Sequence, residues 1–244
     1  MSKTFIIFRR EVSVYFYSTL AFSIFCLFLA STGFLFLQVA QAQMGERVTL
    51  STIMFKLIFF CWLPIIVTFL SMQLFAEERK NGQLELILTF PITTAQLIAG
   101  KFASAMLFLL LIFLSAVGYV CVAEIMSGGT IVGIINNLTS GLLFLVFFGM
   151  FALSIGVFAS TITSNQLLCS TVTFIMILFF YFIGYVTNLI PHAPTFIKEY
   201  LNFPEFFNSF CDGIIDSRPL VFCFSGTVLF LFYSIRVLEV SKHR

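Results

Sequence analysis

Of the 244 residues, 60% are hydrophobic and only 10% charged, with thirteen Lys and Arg against eleven Asp and Glu for a net charge of +2. Soluble domains carry about 45–50% apolar and about 25% charged residues, so this chain cannot hide its apolar side chains in one globular core and reads as an integral membrane protein. The basic residues do not gather on one soluble face, which excludes a nucleic-acid surface, and apolar runs of roughly 20 residues exclude a barrel built from alternating strands of about 10. In hydrocarbon every backbone N–H and C=O must find its partner within its own segment, so the expected fold class is all-α, with spanning helices.

The first eighteen residues are interrupted by Lys3, Arg9, Arg10 and Glu11 and do not span. Phe5, Phe8, Val12, Tyr15 and Phe16 recur at helical spacing, which predicts an amphipathic helix over 1–18 lying in the membrane interface. Arg9-Arg10, the apolar run 20–37 and Ala40-Gln41-Ala42 together imitate a secretory signal. The run is longer than the usual apolar core of about 7–15 residues and further spans follow it, so a retained first helix is expected.

Six spans are predicted, at 19–37, 57–76, 102–123, 141–160, 167–190 and 220–235, which make 19–244 one six-helix membrane domain. With the N-terminus inside, the inner flanks hold Lys3, Arg9, Arg10, Arg79, Lys80, Lys101, Arg236, Lys242 and Arg244, and the outer flanks only Arg47, Lys56, Lys198 and Arg218. That bias predicts both termini and the 77–101 segment on the cytoplasmic side. Among the outer connections, 191–219 interleaves Phe196, Phe203, Phe206, Phe207 and Phe210 with Lys198, Glu199, Glu205 and Asp212, which suits short re-entrant helices better than a solvated loop. The six cysteines are scattered without a Cys-x-x-Cys pair and read as small buried hydrophobes. Spacing lends no support to a disulfide from Cys211 to Cys61, Cys121 or Cys223.

The 77–101 segment carries more structure than a connection needs. Glu77, Glu78, Arg79 and Lys80 continue the second span into water, and Asn81-Gly82 stops it, since Gly readily takes the left-handed conformation after a helix. A short helix over 83–89 has Leu84, Ile87 and Leu88 on one side and Glu85 on another, and ends before Pro91. Thr93-Thr94-Ala95-Gln96 is a capping box, with Ile92 and Leu97 placed for a hydrophobic staple, so a new helix is expected to start near Thr94.

The run Glu77, Arg79, Gly82, Leu84, Glu85, Leu88, Pro91 and Gly100-Lys101 resembles the signature region of permease subunits of ATP-binding-cassette exporters of the second type. Arg10-Glu11 followed by Tyr15-Phe16-Tyr17-Ser18-Thr19-Leu20-Ala21 is similar to the start of the permeases associated with gliding motility and nitrous oxide reductase maturation, where a proline commonly stands at the place of Thr19. The resemblance implies a bacterial inner-membrane, multi-pass permease that forms its translocation path with a second copy of itself or a homologous permease. It implies that 77–101 is a coupling segment docking on separate ATPase subunits through Arg79, Lys80, Gly82, Leu84, Glu85, Ile87 and Leu88. It also implies that 191–219 is the outer re-entrant segment.

No Gly-x-x-x-x-Gly-Lys-Ser/Thr cradle occurs, since Gly100-Lys101 lacks the upstream glycine, so ATP and Mg are expected in the partner subunit and neither enzyme activity nor a cofactor in this chain. His192 and His243 cannot assemble an intramembrane catalytic or metal pair, and Met44, Met126, His192 and Cys211 have no ligand spacing. Ser154 and Gly156 read as small residues for close helix packing. Gln73, Tyr119, Asn165, Thr171, Thr173, Tyr181 and Asn188 are the polar groups that could line a path, and Glu124 is the acidic group nearest to a span. The partners that the resemblance implies are ATPase subunits and a second permease, beside membrane lipid. Two alternatives stay open: a membrane scaffold for a non-ATPase cytoplasmic partner, and an ion-coupled carrier, which would need ionisable groups at mid-membrane.

Overall fold

A computed structural model describes residues 3–42, 50–90, 92–126, 131–189 and 201–242, and these residues are helical with short breaks. Helix α1 spans Lys3–Tyr17 and α2 spans Thr19–Ala42, separated by Ser18 alone, whose Oγ accepts the Ala21 N–H at 3.4 Å and so caps α2. A continuous rod follows over residues 50–80, made of α3 (Leu50–Leu57), a π turn (Ile58–Trp62), α4 (Leu63–Ser71), a second π turn (Met72–Ala76) and α5 (Glu77–Lys80). Then come α6 (Gln83–Thr89), α7 (Thr94–Met126), α8 (Ile131–Ile162), α9 (Gln166–Leu189), α10 (Phe203–Cys211) and α11 (Ser217–Lys242). Six of these helices, counting the rod as one, are long and apolar enough to cross a membrane. The all-α expectation with six spans therefore holds, and several spans run longer than hydropathy alone suggested because their ends continue helically beyond the apolar core.

Helix α8 is the centre of the bundle: 67% of its span is buried, against 17% for α2 and for α11. Close approach to the rod needs small residues. A Cβ on Gly156 would stand 2.9 Å from Ser71 Cβ, and Ser154 is fully buried, so both residues serve helix packing as their size suggested.

At one end of the bundle α10 inserts an apolar face between the rod, α8 and α9. Phe203, Phe207 and Phe210 are spaced for one helical face, and all three are completely buried. Phe207 stacks on Phe59 at 4.3 Å between ring centroids, Phe203 meets Phe148 edge-on at 5.2 Å, and Phe210 packs against Phe144 at 5.1 Å. The helix is held by its end: Ser140 Oγ donates to Phe210 O at 2.6 Å, and Asn136 Nδ2 donates to the carbonyl of Gly213, a residue at φ +81°. The helical part of 191–219 thus lies in the bundle core, while residues 190–200 fall outside the described set. Cys169, Cys211 and Cys223 are buried, but Cys26 and Cys61 are exposed, so only part of the cysteine set packs in the core; all six are free thiols.

Candidate functional site

The opposite end of the bundle is polar, and the 77–101 segment lies there. Gly82 adopts φ +69° and ends the rod, which matches its expected role as a stop. Phe90 is extended at ψ 151°, as the residue before Pro91 should be, and α6 ends there. The capping box forms in both directions: Gln96 N–H donates to Thr93 Oγ1 at 3.2 Å, and Thr93 N–H donates to Gln96 Oε1 at 3.3 Å. Thr94 opens α7, and its hydroxyl donates to Glu239 Oε1 of α11 at 3.4 Å, which places the end of α11 at this same face.

Of the predicted docking residues, Leu84 and Ile87 are buried in this chain, whereas Leu86 and Phe90, which were not among them, are 66% and 61% exposed. Gly82 and Lys80 are exposed and Arg79 half-buried; the side chains of Glu85 and Leu88 lie outside the described set. The inner face of α6 is therefore used to seat it on the bundle, and its outer apolar surface comes from Leu86 and Phe90.

Beneath α5 is an ionic cluster. Lys101 is wholly buried, yet its three ammonium donors each find an acceptor: Glu78 Oε1 at 2.9 Å, Glu11 Oε2 at 3.2 Å and the carbonyl of Leu74 at 2.8 Å. Its Nζ also lies 5.1 Å from the centroid of the Phe75 ring. Arg10 Nη2 adds a bond to Glu78 Oε1 at 3.3 Å. Two acids and two bases thus tie α1, the end of the rod and the start of α7 together. Burial, reinforced by the neighbouring Glu11 and Glu78, pushes the Tyr15 phenol well above its usual range, so this side chain stays neutral beside the cluster.

Local geometry explains why α1 can reach the cluster. A Cβ on Gly100 would meet Ile7 Cγ2 at 2.8 Å and the Thr4 carbonyl at 3.3 Å, so only glycine lets α1 lie this close on α7. The stripe that faces the bundle includes Ile7, Glu11 and Tyr15, while Phe5 and Phe16 point outward. Sequence spacing grouped Phe5, Phe8, Val12, Tyr15 and Phe16 on one face; the structure splits that group because the helix has one side toward protein and another toward the surroundings.

The polar candidates for a path whose side chains are described each have a hydrogen-bond partner of their own. Gln73 Nε2 donates to Ser18 Oγ at 3.3 Å, Tyr119 Oη to Leu29 O at 3.5 Å, and Tyr181 Oη to Phe59 O at 2.6 Å. Thr171 and Thr173 bond back to Leu168 and Cys169 within α9, and Asn165 Oδ1 accepts the Leu167 N–H at 3.0 Å at that helix's start. Gln73 borders a cavity at the polar end, whereas Tyr181 borders an apolar groove with Phe60 and Phe182. The side chains of Asn188 and Glu124 lie outside the described set.

The model of the ABC-2 family transporter protein matches residues 7–210, most of the chain, from within α1 to within α10. The chain belongs to the ABC-2 transporter family. It is accordingly a transmembrane permease of an ABC transporter, and no match was found among curated proteins. Between its second and third spans the chain carries the stop at Gly82, α6 and the Thr93/Gln96 cap. Reasoning from sequence missed the role of Lys101, which reads as a flanking positive charge. Its signal lay in Gly100-Lys101, where the glycine lets α1 lie against the start of α7 beside the charge.

Proposed function

We propose that this permease works as a dimer, with a second copy or a homologous permease, and is driven by separate ATPase subunits that dock on the 77–101 segment. ATP and Mg are bound by those subunits and not by this chain. The N- and C-terminal ends and α6 lie on the cytoplasmic side of a bacterial inner membrane, with α1 in the interface, and transport runs outward. The likeness to the gliding-motility and nitrous oxide reductase maturation permeases rests on Arg10-Glu11 and the 15–21 stretch.

The observation that supports coupling is the mounting of α6. Its inner residues Leu84 and Ile87 are buried in the bundle and its outer residues Leu86 and Phe90 are exposed. It is joined through Gly82 to a rod whose last turns are held by Lys101. A push on α6 is therefore delivered to the rod, and through the ionic cluster to α1 and α7 at once. In this reading Leu86 and Phe90 take the apolar role that the resemblance implied for Leu84, Ile87 and Leu88, with Arg79, Lys80 and Glu85 making the polar contacts.

The test is a Leu86→Asp/Phe90→Asp variant, alongside Glu85→Lys, in the native complex. Both should insert normally yet lose co-purification of the ATPase and ATP-dependent transport. Retention of both properties would overturn the coupling assignment.

A further inference from the structure

A cavity of about 480 Å³ opens where α1, the start of α2, the end of the rod and Gln166 meet. One part of its wall is polar, with Arg10 and the carboxylates of Glu11, Glu77 and Glu78; another is apolar, with Leu20, Phe69 and Met72 among its residues. The acids are unevenly satisfied. Glu11 and Glu78 side chains are only 6% and 10% exposed, and each keeps one carboxylate oxygen, Glu11 Oε1 and Glu78 Oε2, that accepts no hydrogen bond. Arg10 Nη2 stands 3.7 Å from Glu11 Oε1, an ion-pair separation only. Both oxygens are sealed from solvent, so the carboxylate that the cavity presents openly is that of the exposed Glu77, with Arg10 on the same wall.

We propose that the cavity holds the headgroup of a phospholipid bearing a primary ammonium, bound as a resident lipid that latches α1 to the rod. A primary ammonium brings three N–H donors to a wall whose accessible carboxylate is that of Glu77. Beside it, the half-exposed Arg10 guanidinium has donors left over from its bond to Glu78, which suits the phosphate of the same headgroup. The apolar wall argues for a lipid over a free amine. Phe69 and Met72 belong to a spanning rod, and the neighbouring Leu20 and Phe22 at the start of α2 are 45% and 65% exposed, so an acyl chain leaving the cavity continues along an apolar surface.

Lipid retention by the purified full-length chain, measured by native mass spectrometry against phosphatidylethanolamine, phosphatidylcholine and free ethanolamine, tests this. Phosphatidylcholine has the same phosphate and acyl chains but no ammonium N–H donor. Each charge-assisted bond lost to it should cost on the order of tenfold in affinity, so retention should favour phosphatidylethanolamine by at least about that factor. The preference should shrink in Glu77→Gln, which removes an exposed carboxylate without touching Lys101, and retention should fall in Val14→Trp, which fills the cavity from its half-exposed rim. Equal retention of the two lipids would overturn the proposal. So would millimolar ethanolamine displacing the lipid, since the site would then recognise a soluble amine, and so would a preference unchanged in both variants. ATPase docking is not involved in any of these readouts.

Discussion

The rod over residues 50–80 contains two π turns, and they are stabilised by opposite chemistry. At Ile58–Trp62 the surroundings are aromatic: Phe59 packs against Phe144, Phe148, Tyr181 and Phe207. At Met72–Ala76 they are polar and charged: Ser160 Oγ accepts the N–H groups of Phe75 and Ala76, both at 2.9 Å, and Leu74 O accepts from Lys101. A π turn interrupts the regular ladder and leaves backbone groups in need of partners, and inside a membrane domain those partners must be protein. The first turn is built into an aromatic core. The second joins the rod to two other helices through polar bonds, so under the proposed coupling a displacement of the rod's end would reach both.

The largest effect is expected from Lys101→Met. It removes the only wholly buried ammonium among the described residues and leaves Glu11 and Glu78 facing one another with Arg10 alone. Removing one partner of a buried ion pair costs about 3–5 kcal/mol, because the remaining charge stays buried without compensation. Equilibrium unfolding in mixed micelles should show this loss. The triple variant Lys101→Met/Glu11→Gln/Glu78→Gln should recover much of it, because no buried charge is then stranded. If Lys101→Met costs less than about 1 kcal/mol, a figure typical of an exposed pair, the cluster does not hold the polar end together.

The contrast also shows which features a sequence reveals. Gly82, Phe90 before Pro91, and the Thr93/Gln96 box were legible because each motif and its partner lie within a few residues. The six spans were legible from the apolar runs alone. The role of Lys101 was not, since Leu74 and Glu11 stand 27 and 90 residues away and a charge near a span end is ordinarily read as reaching for water. The inner and outer faces of α6 and α1 were hidden for another reason. Leu84 and Leu86, or Tyr15 and Phe16, are equally apolar, and in a membrane protein hydrophobicity does not distinguish a side chain that meets lipid or a partner from one that meets its own chain. The burial of Phe203, Phe207 and Phe210 in the core depends likewise on long-range packing, although their spacing did mark a helical face.

A smaller effect is expected from Ser160→Ala. The change leaves the Phe75 and Ala76 amides without their acceptor in a buried site. Orphaned donors cost about 1–3 kcal/mol. Faster hydrogen exchange at these two amides, with the aromatic end unchanged, would assign the loss to the second π turn. Equal protection in both proteins would show that the turn does not depend on Ser160.

The smallest effect is expected from Tyr181→Phe, and the reason lies in Pro64. The N–H of Leu63 bonds Ile58 O, five residues back. Continued one residue further, that register would give Phe59 O to residue 64, but proline has no N–H to donate. Tyr181 Oη supplies the missing donor at 2.6 Å. Removing the hydroxyl orphans one acceptor, against two donors in Ser160→Ala, and keeps a ring that meets Phe59 at 4.8 Å and Phe148 at 5.3 Å, so a loss of about 1 kcal/mol, the low end of the range for an orphaned group, is expected in mixed-micelle unfolding. The proline still denies the rod its regular ladder in that variant, and the stacked Phe207 still fills the space beside it, so the first π turn should survive. A loss as large as that of Lys101→Met would mean that the aromatic end, like the polar one, depends on a single polar contact.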